Sequence, residues 1–186
     1  MTLLLQAQAD ERELTAEERA LAARSIKWSD NKATDVLWGR IGGQSGLVAA
    51  NRRFGLRSTM PPATVYWANT LTSAADQVRL LRSLVRGGSP LFAMHRRYVL
   101  DLMRHVTHEQ RWGVSVAARK GDVVALKNGW FPTAFHHDLW VIDSIGRIYG
   151  PHRDLLIAVL SDHNPSAGAG IETVEQVVEL VAERLP

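Results

Sequence analysis

Two short segments of this 186-residue chain hold side chains whose types could do chemistry. The first is Ser29-Asp30-Asn31, a hydroxyl, a carboxylate and an amide in succession. The second is Lys127-Asn128-Gly129, an amine and an amide beside a residue with no side chain, followed by Trp130. A lysine held on a strand offers a fixed positive charge to an anion. A serine hydroxyl can accept and pass on a proton. A glycine lets another backbone approach closely. Taken alone, each triplet also has a plain structural reading, because Ser, Asp and Asn are favoured helix caps and turn residues. The histidines offer less. His105-x-x-His108 and His136-His137 are paired, but no third ligand is identifiable, so no metal site is expected. No cofactor is expected either. Trp112, Trp130 and Trp140 flank the strand region and read as core or pocket wall.

The elements that must position these residues can be laid out from caps and periodicity. Leu3, Leu4 and Leu5 begin the chain as an apolar helical stub without a cap. Thr15-Ala16-Glu17-Glu18 is a capping box, which predicts a helix carrying Leu21, Ala22 and Ile26 to about Trp28. Ser29-Asp30-Asn31 interrupts the pattern. A second helix is expected from about Lys32, with Val36, Leu37 and Ile41 apolar, stopped by Gly42-Gly43. Residues 45–54 predict a short helix closed by Gly55. Residues 56–71 read as a loop. Thr72 or Ser73 caps a helix to Gly87-Gly88, and Ser89-Pro90 opens another through Tyr98 and Met103. The period then changes. Val123–Leu126, Leu139–Ile145 and Leu155–Leu160 are strand-like runs with short links, which favours an antiparallel meander. Asn164-Pro165 begins a last helix with Ile171, Val174, Val178, Val181 and Leu185 at helical spacing. The expected fold class is therefore α+β, a helical cluster packed on an antiparallel sheet. The expected layout is one domain over 1–186, helical to about 110, with the sheet and C-terminal helix from about 111.

Composition narrows the classes. The chain has no cysteine, so disulfide scaffolds and Cys-ligated metals are excluded. No apolar run reaches the roughly 18 residues of a membrane span, and the N-terminus lacks the basic leader and cleavage site of a signal peptide. Net charge is only +3, and the basic residues are scattered rather than striped among aromatics, which argues against a nucleic-acid partner.

The order and setting of the two triplets carry a resemblance. They are similar to motifs of the penicillin-recognising serine hydrolases, the class A β-lactamases and their D,D-peptidase relatives. That family carries Ser-x-x-Lys, then Ser-Asp-Asn between helices, then Lys-Thr-Gly on a strand. Further similarity lies in Ile41-Gly42-Gly43, Phe54-Gly55, Thr72-Ser73-Ala74-Ala75-Asp76 and the strand–strand–helix ending. The stretch Ala158-Val159-Leu160-Ser161-Asp162 looks like that of actinobacterial members. The resemblance runs over about residues 3 to 183. It implies acyl transfer on a β-lactam or D-Ala-D-Ala-type amide. It makes Lys127 the cation for the substrate carboxylate and Ser29, held by Lys127, a proton relay to the departing nitrogen. Asn31 would bind the substrate's side-chain carbonyl, and Asn128 would donate to its carboxylate. The Trp130 N–H would be an oxyanion donor, with Gly129 permitting close approach. Asp30 would tie down the loop. The implied partner is a small molecule or peptidoglycan peptide, and the implied location is extracytoplasmic.

Three departures from the pattern shape the expectation. The only Ser-x-x-Lys is Ser29-Asp30-Asn31-Lys32, which overlaps the second motif, so the nucleophile motif would fall before Met1. The chain is thus expected to lack the front of the family domain, including its N-terminal strands, and not to acylate as it stands. No acidic residue lies between Arg57 and Thr72, where class A enzymes carry the loop glutamate that activates the deacylating water. Asn128 also stands where Thr or Ser is usual. The alternatives are a non-catalytic ligand-binding or interaction protein that keeps the pocket, and a basic nucleic-acid-binding domain.

Overall fold

The sequence's caps do much of the work of dividing the first half of the chain into helices. The structure, a computed structural model, describes residues 1–63, 66–134 and 137–184. These fall into two compact units, Met1–Leu102 and Met103–Pro186. In the first, helix α1 (Thr2–Ala9) starts at Met1 with no side-chain cap and buries Leu3, Leu4, Leu5 and Ala7. Helix α2 (Ala16–Lys27) begins at the expected capping box. The Glu18 amide donates to the Thr15 hydroxyl at 3.1 Å, and the Thr15 amide donates to the Glu18 carboxylate at 2.8 Å. Helix α3 (Asn31–Arg40) is capped by Asp30, and α4 (Gly43–Phe54) begins only three residues after α3 ends. Gly42, in the left-handed region at φ 83°, lets the chain turn there, so the Gly42-Gly43 pair joins two helices as well as stopping one. Ser73 caps α5 (Ala74–Val85), whose Leu81 and Leu84 are buried. Helix α6 (Ala93–Arg104) starts later than Ser89-Pro90 suggests. The Ser89 hydroxyl accepts from the Leu91 amide at 3.1 Å, which makes a local turn ahead of the helix.

The second unit is built on a three-stranded antiparallel sheet in the order β1 (Val123–Thr133), β2 (Leu139–Gly150) and β3 (Arg153–Asn164). All three strands run longer than their apolar runs suggest. The β2–β3 hairpin extends to Gly150 and Arg153, and the Arg147 guanidinium meets the Asp154 carboxylate across it at 2.7 Å. Helix α7 (Ala167–Ala182), capped by Ser166, lies against β2 and β3. A 3-10 segment, Gly113–Ala117, packs beside it on the same sheet. Val114, Leu126, Ile142, Ile148, Val174 and Val178 form the core between these layers. Val181, expected on the apolar side, is half-exposed, and Leu185 lies outside the described residues. Among the described residues no helix is long and apolar enough to cross a membrane.

Candidate functional site

The Ser29-Asp30-Asn31 segment joins α2 to α3 in the first unit. Trp28 ends α2 and leaves its indole 55% exposed. Ser29 then takes φ 51°, a left-handed conformation that a residue with a Cβ adopts at some cost. Asp30 is the fixed point. Its carboxylate accepts from the Ala33 amide at 3.0 Å and from Arg24 Nε at 2.8 Å. These bonds, the Ala33 amide first and the Arg24 guanidinium next, hold its pKa below the usual carboxylate value. Its carbonyl accepts from the Thr34 hydroxyl at 2.9 Å, and that hydroxyl meets Ser25 Oγ at 2.8 Å. Asn31 opens α3 and is exposed, as is Lys32. Strain at Ser29 and exposure at Asn31 are thus framed by a cap whose bonds are made.

The second segment lies on β1, an edge strand of the sheet among the described residues. In the β1–β2 register Lys127 faces Ile145, Gly129 faces Asp143 and Trp130 faces Ile142. Alternation along the strand puts Lys127 and Gly129 on one face and Asn128 on the other. The Lys127 ammonium donates to the Asn128 carbonyl at 2.6 Å and sits 5.8 Å from the centre of the Trp130 ring. Burial pulls its pKa down to about 8. Trp130, 37% exposed, stands edge-on to Trp112 with ring centres 5.9 Å apart. Gly129 is exposed, and a Cβ built there would lie 3.9 Å from the Asp143 Cβ, an ordinary contact. What the glycine leaves uncovered is therefore its own stretch of β1 backbone, beside Asp143.

Asn128 meets a different geometry from the one the motif suggests. It turns into the core and is only 4% exposed. Its amide nitrogen donates to the Gln110 carbonyl at 2.8 Å and the Trp112 carbonyl at 3.2 Å, and its oxygen accepts from the Ser144 hydroxyl at 2.7 Å. Ser144 Oγ in turn accepts from the Val114 amide at 2.9 Å. The network has no room to spare, since a Cβ at Gly113 would come within 2.3 Å of Ser144 Oγ. The amide expected to reach a substrate is spent on β1's own anchorage. The reason is the two-residue period of the strand: a residue next to Lys127 faces the core.

Sequence reasoning gave two acidic residues no role at the site. Asp143 lies across from Gly129, and burial raises its pKa to about 6 despite a hydrogen bond from the Ser161 amide, with the Asp162 charge adding to the rise. Asp76 is 1% exposed under the stretch that lacks acids. Burial pushes its pKa upward, but hydrogen bonds from the Ser58 amide, the Thr59 hydroxyl and the Arg57 amide, with the Arg79 charge, hold it below the ordinary value. Bound in this way, Asp76 braces residues 57–59 and is not placed to act as a base. The expected His136-His137 pair lies partly outside the described residues, and among the described residues no group of three or more metal-binding side chains converges.

Comparison with known proteins places this geometry. LppW of Mycobacterium tuberculosis, a protein whose name describes it as a lipoprotein, is 29% identical over 160 residues, 82% of this chain and 49% of its own length. The Mycobacterium bovis protein of that name matches equally. The chain thus spans about half the length of the curated relatives it matches. Among solved structures, the TLA-1 extended-spectrum β-lactamase superposes with a TM-score of 0.81 at 17% identity, covering 98% of this chain and 79% of that one. A structure of PBP-A gives 0.74 at 24% identity, covering 89% and 60%. A class A β-lactamase of Mycobacterium abscessus gives 0.75 at 22% identity, covering 90% and 64%. These likenesses show the fold. The model of the beta-lactamase enzyme family matches residues 3–185, nearly the whole chain, and the chain therefore belongs to that family.

Proposed function

We propose that this chain carries the carboxylate-recognition strand of a β-lactamase-like acyl-transfer domain. In this reading it binds β-lactam or D-Ala-D-Ala-type amides reversibly without forming an acyl-enzyme. The observation that carries the reading is Lys127, a largely buried amine on an edge strand, next to exposed Gly129 and beside the Trp130 ring. A buried cation pays a desolvation cost that a bound carboxylate would repay. Trp130 supplies a backbone N–H on the same strand for a substrate oxygen. Ser29 is the proton relay, and its left-handed backbone is the kind of local strain found at functional positions. Asn31, exposed at the start of α3, presents its amide to a substrate carbonyl. Asp30 and Asn128 hold the two segments in place. No acylation is expected from Ser29 itself, because Lys32, its only Ser-x-x-Lys partner, is exposed at the start of α3. An extracytoplasmic setting, the condition of a lipoprotein relative, belongs to the same reading.

The test is incubation with benzylpenicillin, followed by intact-mass spectrometry and calorimetry. The expected result is no covalent adduct, with reversible binding weakened about tenfold or more in Lys127→Met, the worth of a charge-assisted bond. A stoichiometric adduct on Ser29 would overturn the non-acylating reading. Binding unchanged in Lys127→Met would overturn the role of the strand.

A further inference from the structure

We infer that the outer edge of β3, together with the flank of α7 above it, is a dimerisation surface that takes a second copy of this chain. Among the described residues β3 pairs only with β2. Its middle, Leu155 to Leu160, is six apolar residues with no charge, proline or glycine. An edge strand of that kind offers backbone N–H and C=O groups to another strand. Side chains point to the same lack of cover. Leu155, Ile157 and Val159 pack against the core under α7, yet each is only partly buried, while their β2 partners Ile148, Gly146 and Ser144 are buried. Cover therefore runs out between β2 and β3.

The helix continues this face. Val174 and Val178 point at the sheet, and Glu175 turns to the Gly113–Ala117 segment, where it accepts from the Gly113 amide at 3.0 Å. At about 100° per residue, Val177 and Val181 lie on the flank away from that segment. The segment packs mostly on β2, and α7 on β2 and β3 alike, so this flank looks over the β3 edge. It is bare: Val177 is 42% exposed and Val181 49%, with Leu180 next to them at 54%. The acids Glu172, Glu175, Glu179 and Glu183 recur at three- or four-residue spacing along the other side of the helix, which leaves the strip above the edge free of carboxylates.

The dimensions fit a second copy. Strands lie about 4.8 Å apart, so a helix centred over β2 and β3 stands about 5 Å from a seam beside β3. A twofold axis through that seam sets the two α7 helices about 10 Å apart, the distance at which helices pack. Their apolar strips then meet with no carboxylates between them. Pairing β3 with itself about Ile157 puts Leu155 opposite Val159 and Leu156 opposite Ala158, whereas a register centred on Ala158 would set Asp154 against Asp162. Nine paired residues make a face about 30 Å long, and the strand and helix layers make it about 20 Å deep. That is roughly 600 Å² a side, the low end of specific interfaces.

The experiment is analytical ultracentrifugation of the full chain between about 1 and 100 μM, the range expected of an interface of this size. A dimer is expected. Val177→Glu combined with Val181→Glu, both at exposed positions, should weaken it at least tenfold, and thermal melts establish that the variant is folded. The chain has no cysteine, so Ile157→Cys reports on the twofold directly. A strand paired with itself at that residue holds the two Cα atoms about 5 Å apart, within disulfide reach, and oxidation should give a covalent dimer. A chain that stays monomeric throughout overturns the inference and leaves the face to a different polypeptide. A dimer that survives both glutamates and does not cross-link through Ile157→Cys is built elsewhere and overturns it equally.

Discussion

At Asp30 hydrogen bonds outweigh burial and favour the charge, whereas at Lys127 burial outweighs the carbonyl and the ring that meet the ammonium and disfavours it. The Ser29–Asn31 segment spends its carboxylate on a helix cap and an arginine, and its carboxyl pKa falls. The Lys127–Trp130 segment leaves its amine in a desolvated position, with its pKa lowered to about 8, and faces an aspartate raised to about 6. In the first segment the electrostatics support the fold. In the second they oppose it, and a ligand of the right charge would relieve them. Opposition of that kind is the usual mark of a binding surface. The contrast also runs within β1, where Asn128 faces the core and Lys127 the opposite side of the strand.

Five substitutions break or sharpen this contrast. The largest effect is expected from Asn128→Ala, which strands Ser144 and the Gln110 and Trp112 carbonyls. Chemical denaturation should show a loss of about 3 kcal/mol. Replacing Asn128 with the family's usual threonine should also destabilise, because its shorter side chain cannot reach both carbonyls. Lys127→Met should do the opposite and stabilise the protein by on the order of 2–3 kcal/mol near pH 7 while removing anion binding. The sign follows from the lowered folded pKa. Between about 8 and the unfolded value of 10.5 the unfolded chain binds the extra proton, so wild-type stability rises with pH there and the advantage of methionine fades. Asp30→Ala should lower the melting temperature by less than Asn128→Ala does. Its contribution is whole above the unfolded carboxyl pKa and is lost as pH falls through the lower folded value. Ser29→Gly should give the smallest change, a gain of about 0.5–1 kcal/mol from relief of the left-handed backbone, seen as a slightly higher denaturation midpoint.

Much of the helical half was legible because caps are local. Thr15, Asp30, Ser73 and Ser166 each cap a helix through a side-chain bond to an amide three residues on. The strands were underread because Gly146, Arg147 and Asp154 break the apolar runs, although a cross-strand ion pair makes two of them good partners. Val36 fits the apolar spacing of α3 yet is 44% exposed, since helical period alone does not say which residues find cover. At the candidate site, Lys127, Gly129 and the Asp30 cap could be found from residue type and order. Asp143 could not. Its place opposite Gly129 depends on the β1–β2 register, which no turn motif in the sequence announces. Asn128's inward turn follows from the same register, and its partners are backbone carbonyls that no sequence pattern marks.

The central claim is that a buried, protonated Lys127 binds the carboxylate of the ligand. The most direct measurement is the affinity for benzylpenicillin from pH 6.5 to 9.5, by calorimetry in buffers of different ionisation enthalpy. The account predicts that affinity falls as pH rises through about 8, with proton uptake on binding in that range, and that Lys127→Met removes both effects. An affinity that is flat across that range, with no proton linkage and no dependence on Lys127, would contradict it.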